Sequence, residues 1–171
     1  MADTMNPSNL RIGHGLDVHR FAATFDAAKP LKLAGVQLQE KLSLIAHSDG
    51  DVVLHAICDA LLGAIAAGDI GQHFPDTSAQ YKNVDSSQLL SEVLEMVAKK
   101  GASLINCDVT IVAQVPKISK YRDSMRASLS SLLSIDTDRV NLKATTTEGL
   151  GYIGRSEGIA CHAVVLVYCD R

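Results

Sequence analysis

The sequence predicts a single α+β domain, an α/β two-layer sandwich whose mixed four- to five-stranded sheet carries helices on one face. Three observations lead there. Residues 104–114 alternate, with Ile105, Cys107, Val109, Ile111 and Ala113 set against Asn106, Asp108 and Thr110, the period-two pattern of a half-buried strand. Residues 48–66, 85–100 and 121–134 instead repeat their apolar positions at helical spacing. Strand-like and helical stretches follow in the order β-β-α-α-β-α-β-β, and no linker, repeat or low-complexity tract divides them.

The opening MADTMNPSNL is polar and reads as a flexible arm over residues 1–10, leaving 11–171 as the folded domain. Residues 11–21, RIGHGLDVHRF, begin like a strand but carry two Gly, two His and an Asp. Residues 31–38, LKLAGVQL, alternate in part and read as a second strand with a turn or bulge at Gly35. In 48–66, Val52, Leu54, Ile57, Cys58, Leu61, Leu62 and Ile65 mark one helix, which Ser48 or Asp49 can cap and Gly68 ends. Phe74, Pro75, Asp76 and Thr77 make a turn-rich loop. The next helix opens at Asp85-Ser86-Ser87-Gln88, close to a capping box, and stops at Gly101. Pro116 ends the clear strand. The helix at 121–134 turns Met125, Leu129, Leu132 and Leu133 to one side. Residues 140–144 and 159–169 read as strands joined by the Gly-rich turn TTTEGLGYIGRSEG.

Composition narrows the function classes. The 171 residues suffice for one domain with its own core. At 47% hydrophobic and 4% aromatic, with no Trp, that core must be aliphatic. Sixteen Lys and Arg against nineteen acidic residues give a net charge of −3, without the basic excess that gripping a nucleic acid by its phosphates requires. The uncharged run 60–68 is less than half of the roughly 20 residues needed to span a bilayer. The N-terminus has neither the basic start and apolar centre of a secretory signal nor the Arg of a transit peptide. Cys58, Cys107, Cys161 and Cys169 form no CxxC pair and read as buried free thiols of a reducing compartment. The expectation is a cytoplasmic protein that binds neither nucleic acid nor membrane.

Some residues look chemical. Asp17 and His19, two apart in an extended segment, point to the same face and can reach one metal ion. Asp51, His55 and Asp59, spaced four apart, line one helical face. His55 is the natural third ligand, with the flanking carboxylates placed to orient ring nitrogens. Two imidazoles, one carboxylate and an open fourth position make a zinc-type catalytic site. A His on a helix face is also commonly just packed or solvated, yet carboxylates in so apolar a helix need a partner. AHSDGD at 46–51 exposes helix-start N–H groups to which an anion can bind, with His47 and Ser48 as added donors. Ordinary capping explains Ser48 and Asp49 and leaves His47 over. Thr145, Thr146, Thr147 and Glu148 follow a strand and offer hydroxyls to a phosphate, although a Thr run also reflects β propensity. The glycines at 149, 151, 154 and 158 are too irregular for a phosphate-loop or dinucleotide fingerprint. At Gln114-Val115-Pro116-Lys117 the strand stops and leaves a base and exposed backbone.

Together GHGLDVHRF, AHSDGDVVLHAICDALLGAIAAGDIGQHFPDT, DVTIVAQVPK and KATTTEGLGYIGRSEGIACHAVVLV resemble the 2-C-methyl-D-erythritol 2,4-cyclodiphosphate synthase family over residues 11–167. The block 46–77 is the most specific. The resemblance implies conversion of 4-diphosphocytidyl-2-C-methyl-D-erythritol 2-phosphate into the 2,4-cyclodiphosphate with release of CMP, in the non-mevalonate route to isoprenoid precursors. It implies one Zn²⁺ per subunit on Asp17, His19 and His55, and Mg²⁺ or Mn²⁺ bridging the substrate diphosphate. His47 and Thr146 match positions that stabilise the transition state. Asp17, Val18, His19, His47, Ser48, Asp69, Ile70, Gly71, Phe74, Pro75, Asp76, Thr77 and Ser78 would surround the methylerythritol phosphates. Ala113, Gln114, Val115, Pro116, Lys117, Ile118 and Ser119, with Thr145, Thr146, Thr147 and Glu148, would hold the cytidine diphosphate.

Members of that family are homotrimers with each site between neighbouring subunits. Tyr152 and Arg155 match positions near the three-fold axis, where an isoprenoid diphosphate binds in some members. Leu16, Cys58, Ser78, Gly149 and Tyr152 depart from the family pattern, and none of these is a metal ligand. The chemistry suits the residues, because phosphoryl transfer asks for alignment and charge neutralisation and here the nucleophile belongs to the substrate. No Ser-His-Asp or Cys-His set stands out. From the site residues alone, a zinc hydrolase using metal-bound water and a trimeric phosphate-binding module remain alternatives.

Overall fold

The computed structural model describes residues 6–75, 77, 81 and 83–170, so residues 1–5 of the expected arm lie outside the described residues. In chain order the elements are β1 (Leu10–Phe21), β2 (Lys32–Leu33), β3 (Val36–Gln37), β4 (Leu44–Ile45), α1 (Val52–Ala64), α2 (Ile70–His73), α3 (Ser86–Lys99), β5 (Ala102–Val112), α4 (Arg122–Leu133), β6 (Val140–Thr145), α5 (Gly151–Gly154) and β7 (Gly158–Cys169). Five strands form one mixed sheet ordered β4-β1-β7-β5-β6, in which β5 and β6 run parallel and the other pairs antiparallel. The fold is α+β, as the patterning predicts. α1 lies across β1 and β7, α3 against β5 and α4 against β6.

The core between these layers is aliphatic. Ile159, Cys161, Ala163, Val165 and Val167 of β7 and Cys107, Val109 and Ile111 of β5 are buried toward the helices. α1 is apolar on nearly every side, as a helix sunk in a core must be. Its fit on β1 depends on two glycines. A Cβ built on Gly13 would lie 1.7 Å from Ala60 O, and one on Gly15 would lie 2.0 Å from Ala56 O. The bare strand lets the helix backbone come to within touching distance. On the other side of the sheet, Ile12 and Leu16 of β1 are 73% and 48% exposed, and Val18 of β1 and Val164 of β7 also face outward, so the open face carries a set of exposed apolar side chains.

Several local expectations change. The single strand expected at 31–38 is the hairpin β2–β3, a separate two-stranded sheet that turns at Ala34 and Gly35, both at positive φ. β4 has two residues, too few to show any period, and α2 and α5 are single turns inside segments that read as loops. The alternation of β5 is broken by a register shift between Leu104 and Asn106, a bulge at Ile105. The cap of α1 is Asp51, not Ser48 or Asp49. Its Oδ1 accepts from Val53 N and Leu54 N at 3.1 Å each, and the same carboxylate takes Ala34 N at 2.8 Å and Gly35 N at 2.6 Å. One side chain thus caps the helix and closes the hairpin turn. Complete burial pushes its carboxyl up to about 6 against the pull of those donors.

All four cysteines are free, and three of them are buried. Among the described residues no helix is long and apolar enough to cross a membrane.

Asp85 caps α3 by accepting from Ser87 N at 2.9 Å, and it pairs with Lys32 Nζ. Burial works to raise its carboxyl, but these partners bring it down to about 2. A carboxyl lowered in the folded state contributes stability that is complete above about pH 4 and lost as pH falls toward 2. The stability gap between wild type and Asp85→Asn in urea is therefore expected to close across that window. A gap that stayed constant would refute the role.

Candidate metal centre and active site

Asp17 and His19 sit on the helix-facing side of β1, just past the glycines, and His55 sits one turn into α1. The close approach of strand and helix brings one ligand atom from each to within 4.8 Å of the others. Asp17 Oδ2 accepts from His55 Nδ1 at 3.0 Å. His19 Nδ1 lies 2.9 Å from the same oxygen but is not aligned for a hydrogen bond, and it is buried without a partner. Burial alone would raise the Asp17 carboxyl, yet the two imidazoles hold it well below the usual carboxylate range. Burial likewise opposes charge on His55, but Asp17 against its ring, with Asp51 and Asp49 nearby, keeps it above the ordinary imidazole value. Two ring nitrogens and a carboxylate oxygen meeting at one point, one nitrogen without a partner, fit a divalent cation of the kind that mixes nitrogen and oxygen ligands.

The carboxylates expected to orient His55 do something else. Asp51 is drawn to the N–H groups at the start of its own helix, and Asp59 accepts from Ile70 N at 2.7 Å, tying α1 to α2. The far nitrogen of His55, Nε2, meets Ser86 Oγ at 2.8 Å and Ser48 Oγ at 3.2 Å. Ser86 escapes sequence reasoning because it lies 31 residues away and reads locally as part of a helix cap.

A cleft of about 720 Å³ opens over these residues. Asp17, Val18, His19, His47, Ser48, Ile70, Gly71, Phe74, Pro75 and Thr77 line it, as do Ile45, Tyr81, Val84 and Leu89, which no motif singled out. Lys29 Nζ donates to Ala46 O at 3.2 Å and steadies the loop that carries His47, whose Nε2 is buried without a partner. Asp69 caps α2 by accepting from Gln72 N at 3.0 Å. Asp76 and Ser78 lie outside the described residues.

The expected cytidine residues are not in this cleft. Ala113, Gln114, Val115, Pro116, Lys117, Ile118 and Ser119 follow β5, and Thr146, Thr147 and Glu148 follow Thr145 at the end of β6. In the sheet order these strands stand two and three places from β1, about 10 and 15 Å away at the usual strand spacing. They leave the sheet at the same end as Asp17, which is level with Cys161 and Ile111. Ile118 is buried and the Val115–Pro116 peptide is cis, whereas Thr145, Thr146 and Glu148 are exposed. Thr146 Oγ1 donates to Glu148 Oε1 at 2.9 Å, and Thr147 Oγ1 donates to Leu150 O at 2.7 Å. Tyr152 lines a separate apolar hollow with Leu16, Val112, Leu150 and His162, and Arg155 pairs with Glu157 at 2.6 Å on the surface. One chain therefore brings the expected metal ligands together with most of the described residues expected around the methylerythritol phosphates, and holds the expected cytidine and axis residues apart from them.

The YgbB family profile matches residues 10–168. A 2-C-methyl-D-erythritol 2,4-cyclodiphosphate synthase from Nitrosococcus oceani is 55% identical over 158 residues, covering 92% of this chain and 98% of its own. Among solved structures, the bifunctional IspDF from Campylobacter jejuni is 43% identical with a TM-score of 0.88, over 94% of this chain and 42% of that one. IspF from Plasmodium falciparum, solved as a CDP complex, is 34% identical with a TM-score of 0.82, over 97% of this chain and 100% of its own. A profile spanning almost the whole sequence, a relative sharing more than half of its residues and two solved folds of the same shape agree: the chain belongs to the YgbB family, that of the 2-C-methyl-D-erythritol 2,4-cyclodiphosphate synthases.

Proposed function

We propose that the chain cyclises 4-diphosphocytidyl-2-C-methyl-D-erythritol 2-phosphate to 2-C-methyl-D-erythritol 2,4-cyclodiphosphate and releases CMP, in the non-mevalonate route to isoprenoid precursors. The observation that carries this is the meeting of Asp17, His19 and His55 at one point on the wall of a cleft, in a member of this family. An oxygen of the substrate's 2-phosphate bonds to the β-phosphorus. The bond from that phosphorus to the oxygen bridging the two phosphates breaks, and the electron pair leaves with CMP. Asp17, His19 and His55 would hold Zn²⁺, which together with a second divalent ion, Mg²⁺ or Mn²⁺, would supply the positive charge that phosphoryl transfer needs. His47, which lines the cleft, supplies a donor for charge developing on phosphate oxygens. Ser48, Gly71 and Phe74 shape the pocket that folds the substrate so that its own phosphate lies against its target. No side chain is needed as nucleophile.

The cytidine half comes from a neighbouring copy in a homotrimer, with Thr146 of that copy as the second stabilising residue. Two features support this assembly: the exposed apolar side chains Ile12, Leu16, Val18 and Val164 on the open face of the sheet, and the exposure of Thr145, Thr146 and Glu148 away from their own chain's cleft. Tyr152 and Arg155 then come near the three-fold axis. The CDP held by the Plasmodium falciparum relative supports a cytidine diphosphate pocket. The four free thiols suit a reducing, cytoplasmic setting.

Incubation with the diphosphocytidyl substrate and Mg²⁺, followed by phosphorus NMR, is expected to give a cyclic diphosphate and CMP from a species of three times the chain mass. Free phosphate would point to a hydrolase instead, and unchanged substrate to a binding module.

A further inference from the structure

We infer that the chain carries a further metal site outside the cleft, in which His14 Nε2 and His162 Nδ1 chelate one late transition-metal ion, Zn²⁺, Ni²⁺ or Cu²⁺. The inference goes beyond the proposed reaction and shares no residue with its site. Of the six histidines, His19 and His55 belong to the candidate metal centre, His47 lines the cleft, and His73 Nε2 meets Ala67 O at 2.8 Å. His14 and His162 are left over, and they face each other. His14 Nε2 lies 3.1 Å from His162 Nδ1, with the ring centroids 5.4 Å apart and the planes 24° from parallel. The two rings sit on the central strands of the sheet. β1 and β7 pair over Leu10–Arg20, with His14 opposite Val164 and Leu16 opposite His162, so the rings are diagonal neighbours held by a continuous ladder. Strand alternation puts both on the open face, whereas Asp17 and His19 point to the helices. The sheet therefore stands between this pair and the ligands of the cleft.

The spacing suits chelation. With metal–nitrogen bonds of about 2.0–2.1 Å, two nitrogens 3.1 Å apart subtend an angle of about 100° at the ion, between the square and tetrahedral values. In the ion-free pair one of the two nitrogens donates its hydrogen to the other. His14 is exposed and His162 half-buried, so water can carry that hydrogen to the far nitrogen of its ring and leave both lone pairs turned to the ion. The carboxylate across β7, Asp108, is engaged elsewhere: it accepts from Asn141 Nδ2 at 2.8 Å and pairs with Lys143. Two imidazoles with no carboxylate select copper, nickel or zinc over Mg²⁺, which takes oxygen ligands. Having only two protein ligands, this outer site is weaker than the one in the cleft. It fills when free Zn²⁺ is present and empties in zinc-free buffer.

Equilibrium dialysis of the full chain against free Zn²⁺, followed by metal analysis, counts the sites. Wild type is expected to hold one ion in the cleft and one on the outer pair. His55→Ala should lose the first and keep the second, whereas His14→Gln and His162→Gln should each lose the second and keep the first. Losing a mere partner of a ligand costs about 10- to 100-fold in affinity, so losing one of two ligands should weaken the outer site by at least about 10-fold. Val164→Ala, on the same face but without a ligand atom, should keep both ions. Nitrogen-15 NMR of the imidazoles should show Zn²⁺ moving His14 Nε2 and His162 Nδ1, and Mg²⁺ moving neither. The inference is overturned if both glutamine variants keep the second ion, if Val164→Ala loses it as they do, or if Zn²⁺ leaves those two nitrogens unmoved. Two ions on His55→Ala, with one on each glutamine variant, would sink the assignment of the cleft and leave the outer pair standing.

Discussion

Replacing His55 with alanine is expected to strip the protein of its divalent metal and abolish CMP release. The site has three ligand atoms from Asp17, His19 and His55, and losing one leaves a carboxylate and a single imidazole. Removing a mere partner of a ligand costs about 10- to 100-fold in affinity, so removing the ligand itself must exceed about 100-fold. The checks are zinc content after dialysis and phosphorus NMR of the reaction, with circular dichroism to show that the helix persists. Wild-type metal retention in this variant would overturn the assignment of the site. Retained metal with lost turnover would instead move His55 from metal binding to the chemistry.

The second large effect is on stability. Gly15→Ala is expected to cost more than about 3 kcal/mol, the upper end of overpacking penalties, because the new methyl meets backbone and not a movable side chain. It would lie 2.0 Å from Ala56 O and 2.7 Å from Ala60 N, so α1 must lift off the strand. Lifting α1 also draws His55 away from Asp17, so metal affinity should fall together with the urea midpoint. Gly63→Ala makes the contrast. It lies on the same helix with nothing within 4 Å of the added atom, and should raise stability by about 0.5–1 kcal/mol through helix propensity alone. Equal behaviour of the two variants would show that the contact at Gly15 is not what holds the layers together.

How far the sequence could be read depended on the range of the interaction. Asp17 with His19 is a period-two relation inside one strand, and His55 belongs to a helix marked by its own apolar repeat, so the three candidate ligands were legible from spacing. The strong strands and the three long helices were legible for the same reason. β4 was not, since two residues carry no period, and the pair β2–β3 read as one strand because only the backbone angles at Ala34 and Gly35 reveal the reversal. Asp51 misled because a carboxylate at a helix start can either cap the helix or reach a residue four positions on. The backbone donors, four of them here, won. Ser86 could not be found at all, since a hydroxyl that meets a ring across 31 residues leaves no local pattern. The residues after β5 and β6 showed only generic hydroxyls and a strand end in the sequence, and resemblance alone assigned them to the cytidine; among the described residues they do not line the cleft over Asp17, His19 and His55.

The alternation of β1 has one more consequence. Leu16, Asp17, Val18 and His19 point outward, inward, outward and inward, so two vocabularies are written on a single ribbon and share one reading frame. Sliding that ribbon by one residue would not weaken either message; it would exchange them, carrying the acid and the imidazole to the greasy exterior and pressing leucine and valine against the helix. An insertion or deletion before Asp17 is thus forbidden twice over. Whatever the outer face joins and whatever the inner face binds can drift in residue type, but neither can drift in phase without the other.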